Sequence, residues 1–253
     1  MPTISALSLA LLCLCGAAAH ADDSINTDRP DIANGADVVG RGHWQLETGL
    51  AGDKSRDGSH SLSTPLLLRI GLSEDWELRI DGDGYQRQSG GGTSLHGWGD
   101  VGVGTKWHWR DGEGLTPSLG VLGHLSFATG SGAFRGQGTR PEIDLAMEWD
   151  LGKGYDLSFM PGLYRDNNDA GQHYTGGVLA LSFGKAFDDK THGFLELAGQ
   201  QIASARNGGK LVTLDTGVSY LLSNDTQIDA AVFRGLNHAS PDWQWTVGFS
   251  VRF

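Results

Sequence analysis

Large apolar residues recur at every second position along most of this chain, with polar or small residues between them. The last stretch shows it most sharply. Trp243, Trp245, Val247, Phe249, Val251 and Phe253 form one row, and Gln244, Thr246, Gly248, Ser250 and Arg252 form the other. A period of two with unlike rows predicts a β-strand whose two faces meet different surroundings. The same alternation sets Trp44, Leu46 and Leu50 against Gln45, Glu47 and Gly49, and Leu66, Leu68 and Ile70 against Leu67, Arg69 and Gly71. It sets Trp76, Leu78 and Ile80 against Glu77, Arg79 and Asp81, and Val101, Val103, Thr105, Trp107 and Trp109 against Asp100, Gly102, Gly104, Lys106 and His108. Later segments, from Leu119 onward, repeat it up to the C-terminus. Together they make about twelve segments near the length that a tilted membrane strand needs. In 174–187 Lys185 shares a row with Leu181 and Phe183, so its two faces stay unassigned.

The connections alternate as well. Long polar stretches at 52–61, 82–99, 128–140, 165–173, 201–209 and 233–242 are separated by short ones at 73–75, 110–114, 150–154, 188–193 and 223–225. Outer-membrane barrels have short periplasmic turns and longer outer loops, so this phase puts both termini in the periplasm. The fold expected is all-β: a transmembrane, antiparallel, up-and-down β-barrel of about twelve strands. A secreted β-sandwich would share the alternation. It would not account for charges on one face after another, for Trp and Tyr near strand ends, or for the long-short phase of the connections. In lipid every strand edge must be paired, which requires closure.

Composition narrows the reading. With 39 Gly the chain is poorly suited to helices, and its body holds no apolar run long enough for a helical span. The apolar stretch Ile4 to Cys15, followed by small residues up to Ala21, reads as a secretory signal, 1–21, cleaved after Ala19-His20-Ala21. The mature chain would then run as a periplasmic N-terminal segment, 22–41, and a barrel, 42–253. Cys13 and Cys15, the two cysteines present, fall in the signal, which leaves the mature chain without disulfides or thiolate metal sites. A net charge of -11 argues against nucleic acid as a partner.

Residues Ile25 to Leu50, "INTDRPDIANGADVVGRGHWQLETGL", resemble the opening of a Gram-negative family that carries a phenol-degradation (MetA-pathway) label. The matching residues include Thr27, Asp28, Arg29, Pro30, Val38, Val39, Gly42, Gln45, Glu47, Thr48 and Gly49. "GWGDVGVGTKW" from Gly97 and "LSFATGSG" from Leu125 are similar to two further stretches of that family. The resemblance implies an outer-membrane barrel and transport of small solutes, aromatic compounds among them, and it supplies no catalytic residues. An alternating C-terminal strand that ends in an aromatic, here Phe253, also looks like the signal read by the outer-membrane assembly machinery.

With the apolar rows turned to lipid, the lumen receives Glu47, Arg69, Glu77, Arg79, Asp81, Asp100, Lys106, His108, His124, Glu142 and Glu196, with Asp144, Asp215 and Asp229 beside them. Arg69, Arg79 and Lys106 can pair across the ladder with Glu47, Glu77, Asp81 and Asp100. Such a network either satisfies buried charge in a narrow barrel or forms a constriction that selects solutes by charge. Inward glycines at 102, 104, 120, 162 and 248 leave room for a pore, and the acidic excess favours cations. Asp28-Arg29-Pro30 is either a solvated tail or a segment folded into the periplasmic mouth, with Arg29 on lumen carboxylates.

An outer-membrane lipid hydrolase is the enzymatic alternative. His124 and Ser126 form an H-x-S pair on one strand face, but the alternation turns that face inward, away from acyl chains. A non-conducting structural or adhesive barrel is the other. The nine His are scattered, and a meeting of His108 and His124 is too little for a metal site. The chain is therefore expected to be a passive outer-membrane channel without cofactor or metal, whose partners are outer-membrane lipid, the assembly machinery and small solutes.

Overall fold

The computed structural model describes residues 24–168 and 170–253, and the signal segment expected at 1–21 lies outside them. The described residues form thirteen strands. The first seven are β1 (Trp44–Lys54), β2 (His60–Gly71), β3 (Trp76–Gly90), β4 (Thr93–Gly97), β5 (Val101–Arg110), β6 (Ser118–Phe127) and β7 (Thr139–Gly152). They are followed by β8 (Tyr155–Asn167), β9 (His173–Ala186), β10 (Thr191–Ile202), β11 (Leu211–Ser223), β12 (Thr226–Gly235) and β13 (Trp243–Arg252). Sequence neighbours pair antiparallel except β4 and β5, β3 pairs with β5, and β1 pairs with β13, so all strands except β4 close into a twelve-stranded barrel. Closure removes the free edges that a sandwich would keep. β4 pairs with the outer part of β3 alone, as a hairpin above the barrel wall.

The two rows of each strand separate cleanly. On β7, Ile143 is 57% exposed on the outer wall while its neighbour Asp144 is 8% exposed inside. The row Trp243, Trp245, Val247 and Phe249 lies outside, while Thr246 and Ser250 are buried within. β9 also resolves: Leu179, Leu181 and Phe183 point outward. Lys185 follows them on that face near the rim, where its ammonium sits 3.9 Å from the Tyr155 ring centroid and donates to the Lys153 carbonyl. A lysine at a membrane boundary can keep its stem on apolar surface and its head at the polar edge. Trp44, Trp76, Trp109, Phe187, Tyr220 and Phe253 ring the rim that carries the termini. Trp76 stacks on Trp107 at 5.6 Å. Trp243, Trp245, Tyr85 and Trp98 mark the other rim.

The strands are longer at the far rim than the sequence pattern predicts. The stretches read there as long loops are partly ladder: β1 and β2 are joined by 55–59, and β8 and β9 by 168–172. Beyond the bilayer both faces of a strand are wet, so the ladder can continue after the apolar alternation has stopped. Ser61 donates to Asp53 across one such extension, and Ser59 donates to Asp57 to fix its turn.

Candidate functional site: the barrel lumen

Residues 24–43 hold no regular strand, yet their backbone hydrogen bonds are met by the barrel interior. A row of inward carboxylates accepts them. Glu47 on β1 takes the Asp28 N–H at 3.1 Å, and Glu77 on β3 takes that of Val39 at 2.9 Å. Glu148 on β7 takes the Ala36 N–H. Glu196 on β10 takes those of Ile32 and Ala33, at 3.0 and 2.8 Å. A buried N–H with no partner is costly, and a carboxylate acceptor makes a stronger bond than a neutral one. Inward side chains also reach the segment's carbonyls: Arg69 donates to those of Asn26 and Asp37, and Lys106 to that of Asp37.

Charges of the segment complete a buried network. Arg69 donates to Glu77 at 2.9 Å and to Glu47 at 3.2 Å, and Arg79 to Glu77 at 2.8 Å and to Asp28. Lys106 donates to Asp28 at 2.8 Å. Burial alone would raise the Asp28 carboxyl, but Arg69, Lys106 and Arg79 around it hold it well below the usual carboxylate range. Arg29 donates to Asp229 at 3.1 Å and to the Thr246 hydroxyl at 2.6 Å. Its guanidinium lies over Gly248, where any side chain would collide with it, and the backbone of Ala36 fills the space over Gly120 in the same way. Ile32 packs against the small inner residues Ala180 and Ala198 by way of Ala33 and Met160.

The remaining candidates lie elsewhere. His108, near the rim of the termini, contacts the Ala36 carbonyl and Asp111. His124 is hydrogen-bonded to Asp81 at 2.8 Å, and the ladder sets it opposite Gly104, four residues along β5 from His108, so the two imidazoles do not meet. Asp100, at the far rim, faces neither Arg69 nor Arg79. It accepts from the Gly130 and Gly136 backbone N–H groups and from Arg140, which folds the 128–138 connection inward. Glu142 pairs in register with His124 on the inner face of the wall.

Two cavities lie in the lumen beside this segment. The first, about 380 Å³, lies against Ile32, Asn34, Arg79, His124, Glu142 and Asp144. The second, about 480 Å³, runs from Arg29 and Glu47 past Asp81 to Phe134 and Arg140 at the far rim. Both touch Leu67 and Asp81, so they adjoin. The sequence did not single out Arg140, Met160 or Leu122. Asp28 it did mark, within the Asp28-Arg29-Pro30 triplet that precedes the first strand, though not as the partner of Arg69, Arg79 and Lys106. Ser126 lines the second cavity, inside the barrel, and His124 has its Nε2 engaged by Asp81, so the pair lacks the lipid-facing geometry a hydrolase needs.

The architecture matches solved outer-membrane proteins at low sequence identity. The COG4313 outer membrane channel from Pseudomonas putida F1 superposes with a TM-score of 0.64 at 12% identity, over 83% of this chain and 95% of the other. The KdgM porin gives 0.55 at 11% identity, over 83% and 99%. The NanC porin gives 0.53 at 12%, over 82% and 98%. No curated protein matches the chain in sequence. The match to a family model is broad, covering residues 27–253 and thus both the N-terminal segment and the whole barrel: the chain belongs to the family described as "Putative MetA-pathway of phenol degradation".

Proposed function

We propose that the mature protein is a passive outer-membrane channel for small solutes, aromatic compounds among them, and that residues 22–41 act as its plug. Residues 1–21 serve as the cleaved secretion signal, the rim carrying the termini faces the periplasm, and Phe253 ends the strand read by the assembly machinery. The observation that carries this reading is the division of the lumen: adjoining cavities open from the far rim down to the N-terminal segment, which closes the other half. In this reading solutes move down their gradient. Family membership supports the solute class, and the acidic excess supports a preference for cations.

Single-channel recording in planar bilayers tests it, with a heat-shifted gel band confirming the folded barrel. The full mature chain should show small, discrete openings, with reversal potentials on the cation side. Deleting residues 22–40 should enlarge the unit conductance several-fold. Unchanged conductance would remove the plug from the proposal, and a folded barrel silent in both forms would remove the channel.

A further inference from the structure

The barrel wall separates charge by sign. Every Asp and Glu on the described strands stands on an inward row, although acids outnumber bases in the chain. Charged residues on the outward rows are all basic, and at the far rim three of them share one arc of neighbouring strands. Lys54 on β1 and Arg234 on β12 both stand in register with Trp243 on β13, which points outward. The Arg234 guanidinium lies over the Trp243 ring, 4.8 Å from its centroid. Arg87 joins them from β3. A bulge sets Gly84 and Tyr85 against Thr64, so beyond it the odd-numbered positions of β3 turn outward and Arg87 stands opposite Leu62. Beneath these bases the Trp245 ring fills the space over Gly52, which keeps the wall apolar and even.

The protein leaves two of these bases without a carboxylate. Among the described residues Lys54 has no side-chain partner, and Arg87 donates to the Ser94 hydroxyl alone. Asp242, on the connection before β13, is shared by Arg56 at 3.3 Å and Arg234 at 3.7 Å, so the arc keeps surplus positive charge. Lys54 and Arg234 follow the last apolar side chains of their rows, Leu50 and Val232, at the level where lipid headgroups begin. A base there can lay its stem on the wall and hold its charge among the headgroups, where it attracts anionic lipid. Neighbouring strands lie about 4.8 Å apart, so from β12 to β3 the arc spans roughly 19 Å. A headgroup with one phosphate meets a single base of such a span, whereas phosphates at both ends of a sugar backbone meet its two flanks. We infer that this arc binds a bisphosphorylated glycolipid, its phosphates on Lys54, Arg234 and Arg87 and its acyl chains against Trp245 and Leu62. The inference rests on the proposed orientation in one respect, that the far rim meets the outer leaflet.

The test is native mass spectrometry of the refolded, heat-modifiable mature protein in detergent, titrated with bisphosphorylated lipid A, its monophosphorylated form and phosphatidylglycerol. The bisphosphorylated lipid should bind at one site per barrel, at least tenfold tighter than phosphatidylglycerol, with the monophosphorylated form between them. Lys54→Gln and Arg87→Gln should each weaken it about fivefold, the scale of one base at an anionic lipid surface. Arg165→Gln, which removes an outward base on β8 away from the arc, should leave it unchanged. Equal affinity for either of the other lipids would overturn the inference, as would full retention in both arc variants or an equal loss in Arg165→Gln. If Arg87→Gln does not refold, Lys54→Gln decides. In intact cells Asp57→Cys, in the connection between β1 and β2, should react with a membrane-impermeant maleimide. Labelling without glycolipid preference would sink the site and leave the orientation; glycolipid preference without labelling would sink the orientation, and with it the glycolipid as the natural partner.

Discussion

The two halves of the lumen satisfy their charges differently. On the side of the termini, Arg69, Arg79, Lys106, Glu47, Glu77 and Asp28 are nearly all buried, and each has at least one charged partner. Toward the far rim, Asp81 and His124 form an isolated pair, Glu142 faces the same imidazole, and Asp144 keeps an unpartnered oxygen packed over Gly162. The first half is built as a protein core is built, with every charge answered. The second holds its charges in small separate groups along a cavity. A charged lumen can thus be densely cross-braced in one layer and sparsely paired in the next.

Arg69→Met should break the comparison most. It strips Glu47 of its charged partner and Glu77 of one of two, and leaving buried charge uncompensated costs about 3–5 kcal/mol. The midpoint of the heat-induced gel shift should fall markedly. Arg29→Ala comes next, at about 1.5–3 kcal/mol for its bonds to Asp229 and Thr246. Its readout is proteolysis: residues 24–43 should become cleavable while the barrel stays folded.

Acid should act in the same direction through Asp28. Its carboxyl is held below the ordinary aspartate value of 3.8 when docked. Its contribution is therefore complete above that value and is lost as pH falls below it. Channel openings should enlarge in that range, and Asp28→Asn should show enlarged openings already at neutral pH. The smallest effect is expected on the outer wall. Lys185→Met removes a cation from the face of Tyr155 at the rim, worth about 0.5–1 kcal/mol, and should leave conductance alone.

What could be read from the sequence was whatever the ladder dictates. The alternation gave each strand its faces, because lipid on one side and a charged interior on the other impose opposite demands at every step. Neighbouring strands then made the Arg69–Glu77 pair foreseeable. Connections were less legible: 165–173 looks like a loop since its polar residues carry no alternation, but β8 runs on to Asn167 and β9 starts at His173. The inward glycines misled in a more instructive way. Gly248 and Gly120 do leave room, yet that room is taken by Arg29 and by the backbone at Ala36. Nothing in a strand pattern says which distant segment will fill a gap, nor that Asp100 would turn to Arg140 and the 128–138 connection instead of joining the central network. Asp28 sits outside the ladder altogether, so its place among three cations follows from the closed barrel and not from spacing.

The acceptors of the N-terminal segment come from strands spread around the whole wall: Glu47 on β1, Glu77 on β3, Glu148 on β7, Glu196 on β10, Asp229 on β12 and Thr246 on β13. Two of these belong to the last two strands of the chain. The cradle that holds the segment is thus absent until the final strand has joined the first. A segment that precedes every strand along the chain must wait until last to find its place, and its docking would report that the wall is complete.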